Sequence, residues 1–478
     1  MLWLCLHFPL LPLEIFSRAE VTASPWVITH GKGTRQTVLL CNAVAASLGI
    51  RPGMSLGAAY ALTATLQVRS RDEAAEGQAL EALAAWAGQF TSLVSLFRPL
   101  ALLLEIEGSL QLFGGIDALL RRVQRRASHL GYLTELGVAP TPLSAWLLAR
   151  AHLTTPVLLI DALPGALREL PLFALGLEEK LAQTLRGIGL RCLGDVLRLP
   201  RADLSRRFGP TLLHYLDRLL GHRADPREPY APPARFERRL PLPVETINSE
   251  ALLFPARRLL LELAGFLSAR HAGTQQLHWT LSHHRQVPTR LTLGLAAPNR
   301  DPHHLLNLLR ENLARTTLAH PVEDIALRVT DIHPLNPRTL SLDGTPETPD
   351  EGWPQLVEKL RARLGEEAVQ GLQCRPDHRP EHAWHPCQPG SAGSTLPNAT
   401  RPLWLLPEPV ALSLRDGTPY LDSHLYLEEG PERLECGWWD GGDITRDYFV
   451  AADATHSRYW IFRERQGDRR WFLHGLFA

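Results

Sequence analysis

The chain has 478 residues, 45% of them hydrophobic, and 50 Lys plus Arg against 50 Asp plus Glu give a formal net charge of zero. That length suggests three or four domains of ~100–200 residues, each with enough apolar side chains for a core. No apolar run reaches the ~18–20 residues of a membrane span, which excludes a membrane-spanning role, and the balanced charge gives no bulk sign of nucleic acid.

The opening, MLWLCLHFPLLPLEIF, reads as a buried strand over residues 2–6, then His7 and Phe8, then a turn through Pro9 and Pro12. It makes a poor secretory signal, because it lacks a basic start, is broken by prolines and offers no small-residue cleavage site. Six cysteines (Cys5, Cys41, Cys192, Cys374, Cys387, Cys436) are scattered without a framework, which fits a reducing cytoplasm. In a metal-dependent phosphoryl-transfer enzyme the end of such a strand carries an Asp for Mg2+. Here the candidates are Cys5 and His7, and neither is a hard oxygen ligand.

Further along, LALLLEIEGSLQLFGG reads as a strand closed by a glycine turn and IDALLRRVQRRASHLG as a helix. YLTELGVAP reads as a strand, and TPLSAWLLARAH as a helix begun by Thr141 and Pro142. Residues 1–162 thus read as an α/β or α+β domain. Residues 163–222 read as wholly helical, with glycine turns at Gly176, Gly187 to Gly189 and Gly209, and 223–235 as a Pro- and charge-rich linker. Residues 236–342 return to α+β, with two amphipathic helices and at least three alternating strands. Residues 343–400 read as an acidic and Pro-rich connecting region, and 401–478 as an aromatic-rich C-terminal piece.

Charge is uneven. Between Arg186 and Arg223 eight Arg face Asp195, Asp203 and Asp217, a local +5, whereas nine acidic residues face five basic ones between Asp343 and Glu381, a local −4. A basic module beside an acidic one fits a nucleic-acid grip with a solvated connector, or an ordinary solvated surface.

The order and the local words resemble Y-family translesion DNA polymerases: palm and fingers (1–162), helical thumb (163–222), linker, little finger (236–342). CNAVAASLGIRPGMSL is similar to the family's fingers motif, LLLEIEGSLQLFGG to the palm strand after its Ser-Ile-Asp-Glu, and ELGVAPTPLSAWLLARA to its Gly-Ile-Ala-Pro-Asn-Lys helix start. LRGIGLRCLGDVLRLPRADLSRRFG resembles its thumb. The departures fall on the chemistry. Aligned through Glu14, Cys5 stands at the first metal-binding Asp, and Leu100 and Ala101 stand at the catalytic Asp-Glu pair. Ala43 and Ala46 replace the Tyr and Arg that grip the triphosphate, and Pro142 replaces a Lys. Two-metal phosphoryl transfer needs carboxylates that hold both ions. The tail words GPERLECGWWDGGDITRDYFVA and RYWIFRERQGDRRWFLHGLFA are similar to ImuB-type proteins, the catalytically inactive Y-family-like members of bacterial mutagenesis cassettes.

The resemblance implies an α+β multidomain fold with a β-rich C-terminal extension, no catalytic residue and no cofactor. It implies a bridge between DNA, the sliding clamp, an error-prone replicative-type polymerase and a RecA-like accessory protein. Thumb turns at Leu175, Gly176 and Gly189, with Arg186 and Arg191, are the candidate DNA contacts, through backbone N–H groups offered to phosphates. Ala174 stands where the family has a hairpin Gly, and a plain packing turn is the competing reading. Leu340 and Leu342 have clamp-peptide spacing, although Pro337 replaces the usual Gln. Trp471, Phe472, Leu473 and Phe477 are candidate partner anchors or core of a small β domain. Cys374, His378, His382, His385 and Cys387 could ligate zinc only with loose spacing, so no metal is expected. Two alternatives stand beside this reading: an active polymerase using Glu105 or Glu107, and a protein scaffold that never touches DNA.

Overall fold

The computed structural model describes residues 1–19, 24–31, 36–335, 352–389, 401–402 and 404–477. They fall into two compact units, 1–363 and 364–478. The first unit is built on a four-stranded antiparallel sheet in the order Val94–Phe97, Ala101–Glu105, Trp3–His7, Glu135–Ala139. Strand alternation sorts its side chains by face. Leu4, Leu6, Leu102, Leu104 and Val138 pack against the helices Glu73–Ala87 and Ile116–His129, which contribute Leu80, Leu83, Leu119 and Val123. Trp3, Cys5, Ala101, Leu103 and Ala139 form the other face, in one core with the helix Pro142–Arg150 and with the helices after it.

That helix starts as its sequence dictates: Thr141 Oγ1 accepts the Ser144 N–H, and Pro142 takes a first-turn position where no N–H is needed. The hydroxyls of Thr141 and Ser144 both donate to the Leu219 carbonyl, at 2.9 and 2.7 Å, fastening the end of the helix Pro210–Leu219. The helix also lies almost on the sheet backbone, because a Cβ at Gly137 would come within 2.2 Å of the Ala145 carbonyl oxygen.

A small sheet of Thr37–Cys41, Trp26–His30 and Gln67–Ser70 carries the short helices Ala43–Ser47 and Leu56–Leu62. Residues 236–335 form an antiparallel sheet in the order Gln286–Asn299, Ala272–His283, Val322–Val329, Phe236–Thr246, with His333–Pro334 beside Ala272–His283. The helices Ser249–Ser268 and Pro302–Arg315 supply Leu259, Leu263, Leu305 and Leu309 to its core. The first of these helices is tied to the layer on the four-stranded sheet through a buried ion pair, Arg18 Nη1 to Glu262 Oε1 at 2.5 Å, while Arg18 also donates to Tyr132 Oη.

One stretch read from sequence as connector is ordered. Gly352–Leu364 is a helix that buries Val357 and Ala362; Glu358 accepts the Ala296 N–H at 2.7 Å and lies 2.6 Å from His304 Nε2. Its local charge hid an apolar face. The second unit is a six-stranded antiparallel sheet in the order Thr418–Tyr420, Trp404–Arg415, Trp471–Leu476, Arg458–Glu464, Ile444–Ala452, Tyr426–Cys436, beside a hairpin of Gly371–Cys374 and Trp384–Cys387. The fold is thus α+β with a β-rich C-terminal region. Among the described residues no helix is long and apolar enough to cross a membrane.

Candidate nucleic-acid interface and strand-end site

The sheet register decides what occupies the end of the first strand. His7 lies opposite Ala101 on one side and Glu135 on the other, and the Phe8 N–H donates to the Leu100 carbonyl at 2.8 Å. If Leu100 and Ala101 stand at the family's Asp-Glu pair, the residue facing them is therefore His7. Cys5, selected by sequence alignment, lies two residues deeper, opposite Leu103 and Gly137. It has no exposed surface, and burial pushes its thiol far above the ordinary range.

His7 is held neutral. Burial first, and then the charge of Arg150, bring its pKa down to about 4, and its Nδ1 is buried without a partner among the described residues. Glu135, the neighbouring carboxylate, lies 3.2 Å from His152 Nδ1. The strand end thus gathers two imidazoles and a guanidinium around one carboxylate, a setting poor in the oxygen ligands that Mg2+ takes. Glu105 and Glu107 lie elsewhere. Glu105 is opposite Trp3, four residues or about 13 Å from His7 at strand rise, and accepts the Leu2 and Glu107 N–H groups. Glu107 lies 2.7 Å from the Met1 amino group. Among the described residues no cluster of three or more His, Cys, Asp or Glu could hold a metal ion.

At the small sheet, Ala43 and Ala46 lie on a helix capped by Asn42, whose side chain accepts the Ala45 N–H. Arg51 donates to the carbonyls of Ala46 and Ile50, which commits it to closing the helix end. Pro142 sits in a buried first turn.

The two helical turns differ. Gly176 has φ +64°, but a Cβ there would come within 2.4 Å of the Trp146 ring, and the buried Leu175 gives its carbonyl to Tyr215 Oη. This turn is a packing joint with the helix Pro142–Arg150. Gly189, with φ +91°, has open space around it, although its N–H donates to the Arg186 carbonyl. Arg186 pairs with Glu179 at 2.9 Å, and Arg191 is exposed while its backbone N–H donates to Asp195. Arg198, Arg201 and Arg206 pair with the three Asp already counted in the local +5, and Arg186 and Arg218 pair with Glu179 and Asp225 outside the segment, leaving Arg191, Arg207 and Arg223 without an acidic partner among the described residues. Sequence reading passed over Phe173, 71% exposed beside the first turn, because the apolar string around it reads as core.

In the second unit Trp471 and Leu473 are buried with Leu412 and Ile461 on one face of the sheet, and Phe472 stacks on Phe462 at 5.1 Å on the other. Phe477 is partly buried against that second face. The strand bearing them is internal, so their first role is core. Other aromatics of this unit are exposed, Trp384, Trp404 and Tyr426 among them, and two of them are adjacent: Trp438 is 78% exposed and Trp439 58%. Their turn is braced by Arg379, which donates to both Asp377 and Asp440 at 2.8 and 2.6 Å. Cys374 pairs in register with Trp384 and Cys387 with Gly371, at opposite ends of the hairpin. Leu340 and Leu342 lie outside the described residues.

Residues 11–150 match the impB/mucB/samB family model. Over 461 residues the chain is 30% identical to Protein ImuB of Caulobacter vibrioides, in both strain NA1000 / CB15N and strain ATCC 19089, spanning 90% of this chain and 100% of each relative. This chain belongs to the ImuB family. Similar solved structures include a Y-family DNA polymerase chimera (16% identity, TM-score 0.40) and DinB from Sulfolobus solfataricus (17%, TM-score 0.37), each covering 70% of this chain and 100% of the other. Membership of the ImuB family supports a role in translesion synthesis and damage-induced mutagenesis.

Proposed function

We propose that this chain is a non-catalytic, DNA-binding bridge in error-prone translesion synthesis. One observation carries the non-catalytic half: His7, held neutral, faces Ala101 where two-metal phosphoryl transfer needs carboxylates. An active polymerase using Glu105 or Glu107 is disfavoured, since both lie at the far end of the strand and are engaged with backbone or amino groups. The DNA-binding half draws support from the open turn at Gly189 and the exposed Arg191. In this reading 1–162 act as palm and fingers, 163–222 as thumb and 236–342 as little finger, and the protein works in the cytoplasm. The sliding clamp is met through Leu340 and Leu342. An error-prone replicative-type polymerase and a RecA-like accessory protein are met through the C-terminal unit, where Trp438 and Trp439 are available as anchors.

The test is primer extension with Mg2+ or Mn2+ together with binding to primer–template DNA across a salt series. No templated incorporation is expected, and binding should weaken steeply with salt. Robust incorporation overturns the non-catalytic reading; absent or salt-independent binding favours the pure scaffold. Arg186→Ala with Arg191→Ala should lower affinity and flatten the salt slope. Restoring carboxylates with His7→Asp, Leu100→Asp and Ala101→Glu should leave the protein inactive, because Ala43, Ala46 and Pro142 still give the triphosphate nothing to bind.

A further inference from the structure

The helix Ile116–His129 buries Leu119, Val123 and Ala127 against the four-stranded sheet and turns a basic face outward. Arg121, Arg122, Arg125, Arg126 and His129 are all exposed, against a single acidic residue, Asp117, in the same helix. Their i, i+4 rows advance ~6 Å per step along the helix. None of the four arginines has a carboxylate partner among the described residues: Arg126 donates to the Gln89 amide and Arg122 lies over the Phe113 ring. The cationic character is uncompensated. Partial burial and the charges of Arg122 and Arg125 hold the Arg126 guanidinium below its ordinary value.

At its C-terminal end this face runs into a cavity of about 1060 Å3 between the helix and residues 261–302, where Arg125, Arg126, His129, His271 and Arg300 converge. The one carboxylate there, Asp301, is turned to the N–H groups of His303 and His304, capping the next helix. Arg300 Nη1 is buried with no hydrogen-bond partner among the described residues. A buried guanidinium nitrogen without an acceptor is costly, and a phosphate oxygen would satisfy it.

We propose that this basic helix face and the cavity at its end bind the phosphate backbone of a single-stranded nucleic acid, on the opposite side of the four-stranded sheet from the thumb-like helices. The exposed rows extend beyond the cavity, so a mononucleotide would leave them unused, and a duplex is too broad to place its backbone in a recess of this size. The nearby indole of Trp86 is only 2% exposed, so recognition runs through phosphates rather than stacked bases and is indifferent to sequence. This site is independent of the thumb contacts proposed above.

The full-length protein is titrated with fluorescein-labelled dT20 between 50 and 200 mM salt, by anisotropy. The variant Arg121→Ala/Arg125→Ala/Arg300→Ala should bind at least about tenfold more weakly at low salt, with a log–log slope smaller by about 2, at ~0.7 per lost contact on a single strand. Arg121→Glu/Arg122→Glu, which leaves the cavity lining intact, should show the same direction of change. Unaltered affinity and slope in both helix-face variants, with circular dichroism as in the parent, overturn the proposal. Saturable binding of inorganic triphosphate to these arginines without any dT20 binding overturns it in favour of a small-ligand pocket.

Discussion

His7 has been given a position that suits a charged group and an environment that forbids one. Its pKa of about 4 lies below the ordinary 6.5, so between those values the unfolded chain takes up a proton that the folded chain refuses. Stability from this residue is therefore complete above about pH 6.5 and is lost as pH falls toward 4. Relative to pH 8, about 2 kcal/mol should be gone at pH 5, at ~1.4 kcal/mol per unit. Urea unfolding of His7→Asn at both pH values should show a pH dependence smaller by that amount; an identical pH dependence would place the imidazole in solvent. Gly137 gives a contrast in sterics. Gly137→Ala puts a Cβ 2.2 Å from the Ala145 carbonyl oxygen and 2.3 Å from the Ala149 nitrogen, both backbone atoms that cannot rotate aside. Overpacking of this kind costs about 1–3 kcal/mol and sometimes more. Gly57→Ala, in the helix Leu56–Leu62 with nothing within 4 Å, should be neutral or stabilising by up to ~1 kcal/mol in the same measurement.

Elements were largely legible in the sequence because their periodicities are strong. The helix Ile116–His129 follows from Leu119, Val123 and Ala127 at four-residue steps, and Pro142–Arg150 from Thr141 and Pro142 at its start. Register was not legible. A shift of two residues keeps the same face buried, so alternation alone left Cys5 and His7 indistinguishable, and pairing with Ala101 separates them. The same limit applies to the last strand: sequence shows that WFLHGLF is apolar, but not that Trp471–Leu476 lies between two other strands. Deleting residues 471–478 should therefore unfold the second unit rather than merely remove a binding surface, seen as loss of its protease-resistant fragment. Trp438→Ala/Trp439→Ala should keep that fragment and lose partner recruitment in a pull-down. An intact fragment after the deletion would mean the strand is dispensable.

At the scale of the first unit, the helix Ser249–Ser268 packs along the helix Glu73–Ala87, with Gly265 close against Trp86, and a buried ion pair fastens it there. Glu262 is 4% exposed at its side chain and Arg18 is 6% exposed, with Arg238 a further 3.9 Å from the carboxylate. Removing one member of a buried pair strands the other, so Glu262→Ala should destabilise the unit by about 3–5 kcal/mol, while a volume-matched apolar replacement of both Arg18 and Glu262 should cost far less. Equal losses in thermal denaturation of the two variants would show that packing, not charge, is what matters. No sequence pattern announces such a pair, since its members lie far apart in the chain. The thumb-like helices are attached differently. Their leucines share one core with Trp3 and Leu103, and the Leu219 carbonyl receives two hydroxyls from the helix Pro142–Arg150. A joint with that much common interior resists a swing of these helices around a ligand. In the DNA-binding reading proposed above, duplex DNA would meet a surface already set in shape, association would follow a single kinetic phase without a later tightening step, and selectivity would come from fit alone.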